Sequence, residues 1–141
     1  MTAAPAPDVD FRGRHVLSEF YDVDPTLLND TEFLRVALQQ ALKEANATLL
    51  HMIDHTFESQ GATVVALLSE SHASVHTWPE QSACFIDFFT CGQADPERAL
   101  QVLRAALRPA RYNVLLLDRG TPGSAPPLPH HPSDHRKAAH T

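Results

Sequence analysis

The chain has 141 residues, 43% of them hydrophobic and 20% charged, one domain's worth of ordinary globular composition. Its net charge of −6 points away from nucleic acid or an anionic membrane as the main partner. Two cysteines are too few for a disulfide framework, no N-terminal apolar stretch reads as a signal peptide, and no apolar run approaches the ~20 residues of a membrane span, so the cytoplasm is the expected compartment.

Residues 1–12, with Pro5 and Pro7, and residues 121–141, TPGSAPPLPHHPSDHRKAAHT, carry too little apolar surface to offset the entropy of ordering. They are expected to be flexible ends around one domain over 13–120. That domain opens with a β-leaning run at 14–23 that ends at Asp24-Pro25. A helix starts near Asn29, where Asn29 and Glu32 read as a capping box and Asp30 or Thr31 are further caps. Leu34, Leu38, Ala41, Leu42 and Ala45 form its apolar stripe, and Asn46 is its stop. Residues 47–57 and 63–69 read as strands joined through Ser59-Gln60-Gly61. The next strand, 72–78, alternates, with His72, Ser74, His76 and Trp78 on one face. Another follows at 84–91, with Cys84, Ile86, Phe88 and Thr90 on one face. Asp95-Pro96-Glu97 opens a second helix with a cap, a proline at the first helical position and an acid at the positive end of the dipole. Leu100, Leu103 and Leu107 are its stripe, Pro109 ends it, and 112–118 is the last strand. The order β-α-β-β then β-β-α-β predicts an α+β two-layer sandwich, a mostly antiparallel sheet with two helices on one face.

The stretch LLSESHASVHTWPE, residues 67–80, concentrates reactive side chains where a solvated strand face needs none. A Ser-His hydrolase would need the glycines of a nucleophile elbow, and SESHA lacks them. A metal site drawing on His72 and His76 with Cys84 or Cys91 fails on spacing, because residues four apart in a strand lie ~13 Å apart. The tail histidines, His130, His131, His135 and His140, suit incidental metal affinity better than a built site, so no metal is expected. Cys91 closes a strand before Gly92, either as a half-buried packing residue or as a thiol acid facing a cleft. Cys84 packs and takes no role.

LLSESHASVHTWPE, followed by DFFTCG and DPERAL, resembles the prokaryotic S-adenosylmethionine decarboxylase proenzymes. The likeness extends to GRHVLSEFYD near the start, LLLDRG near the end and HRKAA in the tail, in the same order and at compatible spacing. It implies that the chain cuts itself between Glu70 and Ser71. The Ser71 hydroxyl attacks the Glu70 carbonyl in an N→O acyl shift, elimination of the ester leaves dehydroalanine, and its hydrolysis gives an N-terminal pyruvoyl group, the implied cofactor. Thr63 matches a hydroxyl that supports processing, His76 the base of the elimination, and Cys91 the proton donor of decarboxylation. Phe57 matches a ring that stacks on adenine, and Glu80 an acid near the substrate. The pyruvoyl ketone forms a Schiff base with the substrate amine and accepts the electrons freed as CO₂ departs. The implied product is decarboxylated S-adenosylmethionine for spermidine synthesis, and the implied assembly is a homodimer of cleaved protomers with sites near the subunit interface.

The family commonly reads F-x-P-x-G-[VS]-[ST]-G before the processing strand, and here Phe57-Glu58-Ser59-Gln60-Gly61-Ala62-Thr63-Val64 lacks the proline and the second glycine. After Trp78-Pro79-Glu80, Gln81 and Ser82 replace an aromatic and a glycine. These departures flank the expected substrate pocket and leave a basic amino acid, arginine or ornithine, as the alternative substrate. A non-processing regulatory or structural paralogue is the third reading.

Overall fold

A computed structural model describes residues 10–121, and both expected flexible ends fall almost wholly outside the described residues. The elements are β1 (Gly13–Tyr21), α1 (Pro25–Leu28), α2 (Thr31–Glu44), β2 (Leu49–Thr56), β3 (Ala62–Leu68), β4 (Ser71–Trp78), a 3-10 turn (Pro79–Gln81), β5 (Ala83–Cys91), α3 (Pro96–Leu107) and β6 (Arg111–Arg119). Every strand pair is antiparallel, in the order β2-β3-β4-β5-β1-β6. The expected α+β two-layer architecture is the one observed, with α2 over β2 and β3 and α3 over β1 and β5.

Alternation sorts the strands into two faces. Val16, Ser18, Phe20, Val64, Ala66, Ala73, Val75, Cys84, Ile86 and Phe88 lie under the helices and are buried. Leu34, Leu38, Leu42, Leu103 and Leu107 meet them from the helix side, each at most 1% exposed. Burying one such leucine contributes roughly 1.5–3 kcal/mol. The helices reach β6 only through Arg104, which lies over the Tyr112 ring at 4.7 Å, so Tyr112, Val114 and Leu116, which share the helix-side face, remain 40–47% exposed.

The helix starts correct one expectation. The N-cap of α2 is Asp30, whose side chain accepts from the Phe33 N–H at 3.0 Å. Asn29 is no capping box; it ends α1, a one-turn helix not foreseen, capped at Asp24. The Asn29 amide oxygen instead accepts from the Gly61 N–H at 2.8 Å. Gly61 has φ +93°, and a Cβ there would lie 2.8 Å from the Thr77 carbonyl oxygen, so the β2–β3 loop needs glycine at this point. Helix α3 starts as expected: Asp95 Oδ1 accepts from the Glu97 and Arg98 N–H groups, both at 3.1 Å, with Pro96 in the first turn. Its end is set one residue before Pro109 by Arg108, which takes the left-handed conformation.

The other face of the sheet has no helix over it. Leu17, Ile53, Val65, Leu67, Phe85 and Leu115 stand on it, each at least 36% exposed. Between them lie His15, His72, Ser74, His76, Trp78 and Asp87, so these six open onto one uncovered surface.

Candidate active site

The hairpin between β3 and β4 is closed by two residues, Ser69 and Glu70, with Leu68 paired to Ser71. Two-residue hairpins favour turns with positive φ inside the loop. Here neither loop residue has positive φ among the described residues; the departure falls on Ser71, at φ +149°. An L-residue rarely adopts that conformation, which costs on the order of 1–3 kcal/mol. Two anchors hold the turn. The Glu70 carboxylate accepts from the Thr48 N–H at 2.9 and 3.1 Å, and the Ser69 N–H donates to the Thr48 carbonyl at 3.0 Å.

The β4–β5 ladder, with His72 opposite Phe89, carries Cys91 to a point opposite Glu70. The Glu70 carbonyl oxygen accepts twice from that residue, from the Cys91 N–H at 3.2 Å and from the Cys91 thiol at 3.1 Å. The carbonyl of the Glu70-Ser71 peptide bond thus sits in a two-donor cradle, the arrangement that stabilises a developing oxyanion. Cys91 is partly exposed and borders a cleft of about 440 Å³ with Arg12, Arg14 and Arg119. Cys84 is fully buried, and burial pushes its thiol well up from the ordinary value, so the packing role expected for it holds.

Around Ser71 the open face adds residues that sequence reasoning did not assign. The Ser71 hydroxyl lies 3.0 Å from His72 Nδ1. His72 Nε2 lies 3.6 Å from Asp87 Oδ2, which also lies 2.8 Å from His15 Nε2. Ser74 Oγ donates to the other Asp87 oxygen. The readable signal was Asp87 itself, an acid on the same face as Phe85 and Phe89. His15, His72 and Asp87 bring potential metal-ligand atoms within 4.8 Å of one another. Arg119 lies 3.4 Å from His15 Nδ1, a positive charge that opposes a cation there.

The remaining expected residues gather at the other end of β4. Thr63 pairs with His76 in the β3–β4 ladder, and its hydroxyl lies 2.5 Å from His76 Nδ1. Phe57 meets His76 edge-on at 5.8 Å and His55 at 4.8 Å, and Trp78 also packs edge-on against His76 at 4.6 Å. Glu80 is exposed in the 3-10 turn just beyond. His76 is five residues from Ser71 along β4, which at strand rise is ~16 Å. One chain therefore forms two groups, Glu70-Ser71-Cys91 at the turn and Phe57-Thr63-His76 at the opposite end.

The family model for S-adenosylmethionine decarboxylase matches residues 14–120. An S-adenosylmethionine decarboxylase proenzyme of Parasynechococcus marenigrum is 49% identical over 113 residues, covering 79% of this chain and 88% of that protein. Proenzymes of the same name from Methanococcus aeolicus and Thermotoga maritima are each 38% identical, over 77% of this chain and 94% and 84% of theirs. The crystal structure of the adenosylmethionine decarboxylase from Aquifex aeolicus VF5 superposes with a TM-score of 0.73 at 35% identity, covering 82% of this chain and 97% of that one.

Proposed function

Because the chain belongs to the S-adenosylmethionine decarboxylase family, we propose that it cuts itself between Glu70 and Ser71 and then decarboxylates S-adenosylmethionine, feeding polyamine synthesis. It works in the cytoplasm, where its two free thiols stay reduced. The observation that carries the reading is the cradled Glu70 carbonyl beside a strained Ser71. Attack of the Ser71 hydroxyl on that carbonyl carbon puts negative charge on an oxygen already held by two donors. Breaking the C–N bond frees Ser71 from its strained φ, so the ground state helps to drive the shift. The two halves then remain joined through the Ser71 ester, and it is the elimination that separates residues 1–70 from 71–141.

The next step removes the Ser71 Hα, and this is His76's role, with Thr63 holding the imidazole. The ~16 Å between His76 and Ser71 within one chain means that a second copy supplies this pair. Two copies stacking their open sheet faces about a two-fold axis bury Leu17, Ile53, Val65, Leu67, Phe85 and Leu115, the kind of exposed apolar surface that marks an interface. Sheets pack ~10 Å apart, so side chains from both faces meet. A rotation axis crossing the middle of β4 sets the His76 end of one copy over the Ser71 end of the other. Each of the two sites is then composite: Glu70, Ser71 and Cys91 from one copy, Phe57, Thr63, His76 and Glu80 from its partner.

The residues fit a pyruvoyl group at position 71, which supplies a ketone that takes up the electron pair released as CO₂ leaves. Cys91, already directed at this point, donates the proton that replaces the carboxylate. Phe57, 39% exposed on the uncovered face, offers its ring to the adenine, and Glu80 faces the polar part of the substrate.

The test is CO₂ release by the purified, processed protein offered adenosylmethionine, arginine and ornithine separately. Stacking a base on an aromatic ring contributes roughly 1–3 kcal/mol. Phe57→Ala should therefore lower kcat/KM for adenosylmethionine by about one to two powers of ten. Release of CO₂ from arginine or ornithine alone would defeat the substrate assignment and leave the pyruvoyl mechanism standing. Cys91→Ala keeps the backbone N–H on the Glu70 carbonyl. This variant should still cleave, more slowly, while its turnover drops about 100-fold or more, as loss of a general acid does. Equal loss in cleavage and turnover would show that the thiol serves only the first step.

A further inference from the structure

Self-cleavage needs a group that takes the proton of the Ser71 hydroxyl; within the same chain His76 lies ~16 Å away along β4, whereas His72 is in contact with that hydroxyl. We infer that His72 is the base for the first step and that Asp87 positions it, an inference that rests on the cleavage proposed above. His72 Nδ1 lies 3.0 Å from Ser71 Oγ, within reach for proton transfer. With Nδ1 accepting, the ring carries its proton on Nε2, and that nitrogen faces Asp87 Oδ2 at 3.6 Å. Asp87 is itself fixed, by His15 at 2.8 Å and by the Ser74 hydroxyl. The imidazole is flanked by Phe89, with ring centroids 5.7 Å apart, and by His15 at 6.1 Å. Hydroxyl, imidazole and carboxylate thus stand in series, the relation that activates a serine nucleophile in hydrolases. No nucleophile-elbow glycines are needed, because the strained hairpin presents the serine.

The step balances without any added reagent. The Ser71 Oγ–H bond breaks and its proton passes to His72 Nδ1 as Oγ bonds to the Glu70 carbonyl carbon. The Glu70 oxygen carries the charge in the Cys91 cradle. As the carbon–nitrogen bond then breaks, the proton moves from His72 to the Ser71 nitrogen, leaving an ester, a free amine and a neutral imidazole. Asp87 stabilises the transient imidazolium and touches no reacting atom, so its role is positioning.

The experiment follows cleavage of freshly translated full-length chain over time, for wild type, His72→Ala, His72→Gln, Asp87→Asn and Asp87→Glu. Loss of a general base slows a step about 10²–10⁴-fold. The expected result is slowing of that size in both His72 variants, with added imidazole restoring His72→Ala. Glutamine can hydrogen-bond to Ser71 but cannot carry its proton, so cleavage of His72→Gln at the wild-type rate would overturn the base assignment. It also decides the matter if His72→Ala lacks a cooperative thermal transition. Asp87→Asn should cleave more slowly than Asp87→Glu; the reverse order would overturn the positioning role. Wild-type chain that never cleaves would instead defeat the self-cleavage reading, a result separate from the failure of His72 alone.

Discussion

Replacing Ser71 with alanine should leave the 141-residue chain whole, while the wild-type chain runs in denaturing electrophoresis as two pieces, residues 1–70 and 71–141. The substitution removes one oxygen. That oxygen is the nucleophile of the acyl shift, the ester oxygen of the intermediate and the leaving group of the elimination, so its loss is total rather than graded. Intact-mass spectrometry distinguishes this from slow processing. The wild-type 71–141 fragment should carry a ketone that reacts with hydroxylamine, and the Ser71→Ala chain should carry none. The fold should survive the change. Ser71 is half-exposed at a strand end, and its hydroxyl is bonded only to neighbouring His72. A wild-type chain that stays intact and shows no hydroxylamine-reactive ketone would remove the basis of the enzyme reading.

How much of the fold and the site is legible in the sequence depends on the range of the interactions involved. Alternation in 72–78 and 84–91 and the 3.6-residue stripes of the helices are local patterns, and they put Cys84, Phe88 and Leu103 in the core and His72, His76 and Trp78 outside it. Asp95-Pro96 is equally local and starts α3 as read. Asn29 misled because its type suits a cap, yet the oxygen is taken by Gly61, 32 residues away. The insertion of β1 between β5 and β6 is a long-range pairing with no local signature. The same holds for the site. The Glu-Ser pair and the Cys before glycine are visible in the string, but that the Cys91 N–H and thiol reach the Glu70 carbonyl depends on the β4–β5 register. The strain at Ser71 depends on how a two-residue turn without glycine closes. Strand parity alone sets Ser71 and His76 on opposite faces; the ~16 Å along β4 is the larger obstacle, and it is what motivates the proposed second chain.

That second chain gives the sharpest expectation. His76→Ala alone should stall processing, because the ester has no base to take the Ser71 Hα. Ser71→Ala alone cannot begin it. Expressed together with different tags, the two should rescue one another in one direction only. A mixed dimer holds one complete site, made of Ser71 from the His76→Ala copy and the Thr63–His76 pair from the Ser71→Ala copy. Its other site lacks both. With random assortment of equal amounts, about half of the His76→Ala copies should find such a partner and acquire the ketone, since a two-fold interface uses the same surface on both copies. The Ser71→Ala copies should show no cleavage. If His76 instead reached Ser71 within its own chain, through a bend in β4, no mixed dimer would contain a working site and coexpression would yield no ketone. The apolar face sets a control for the assembly: Leu67→Asp, on an exposed position of that face, should weaken the dimer and with it the complementation, while leaving the helix-side core untouched.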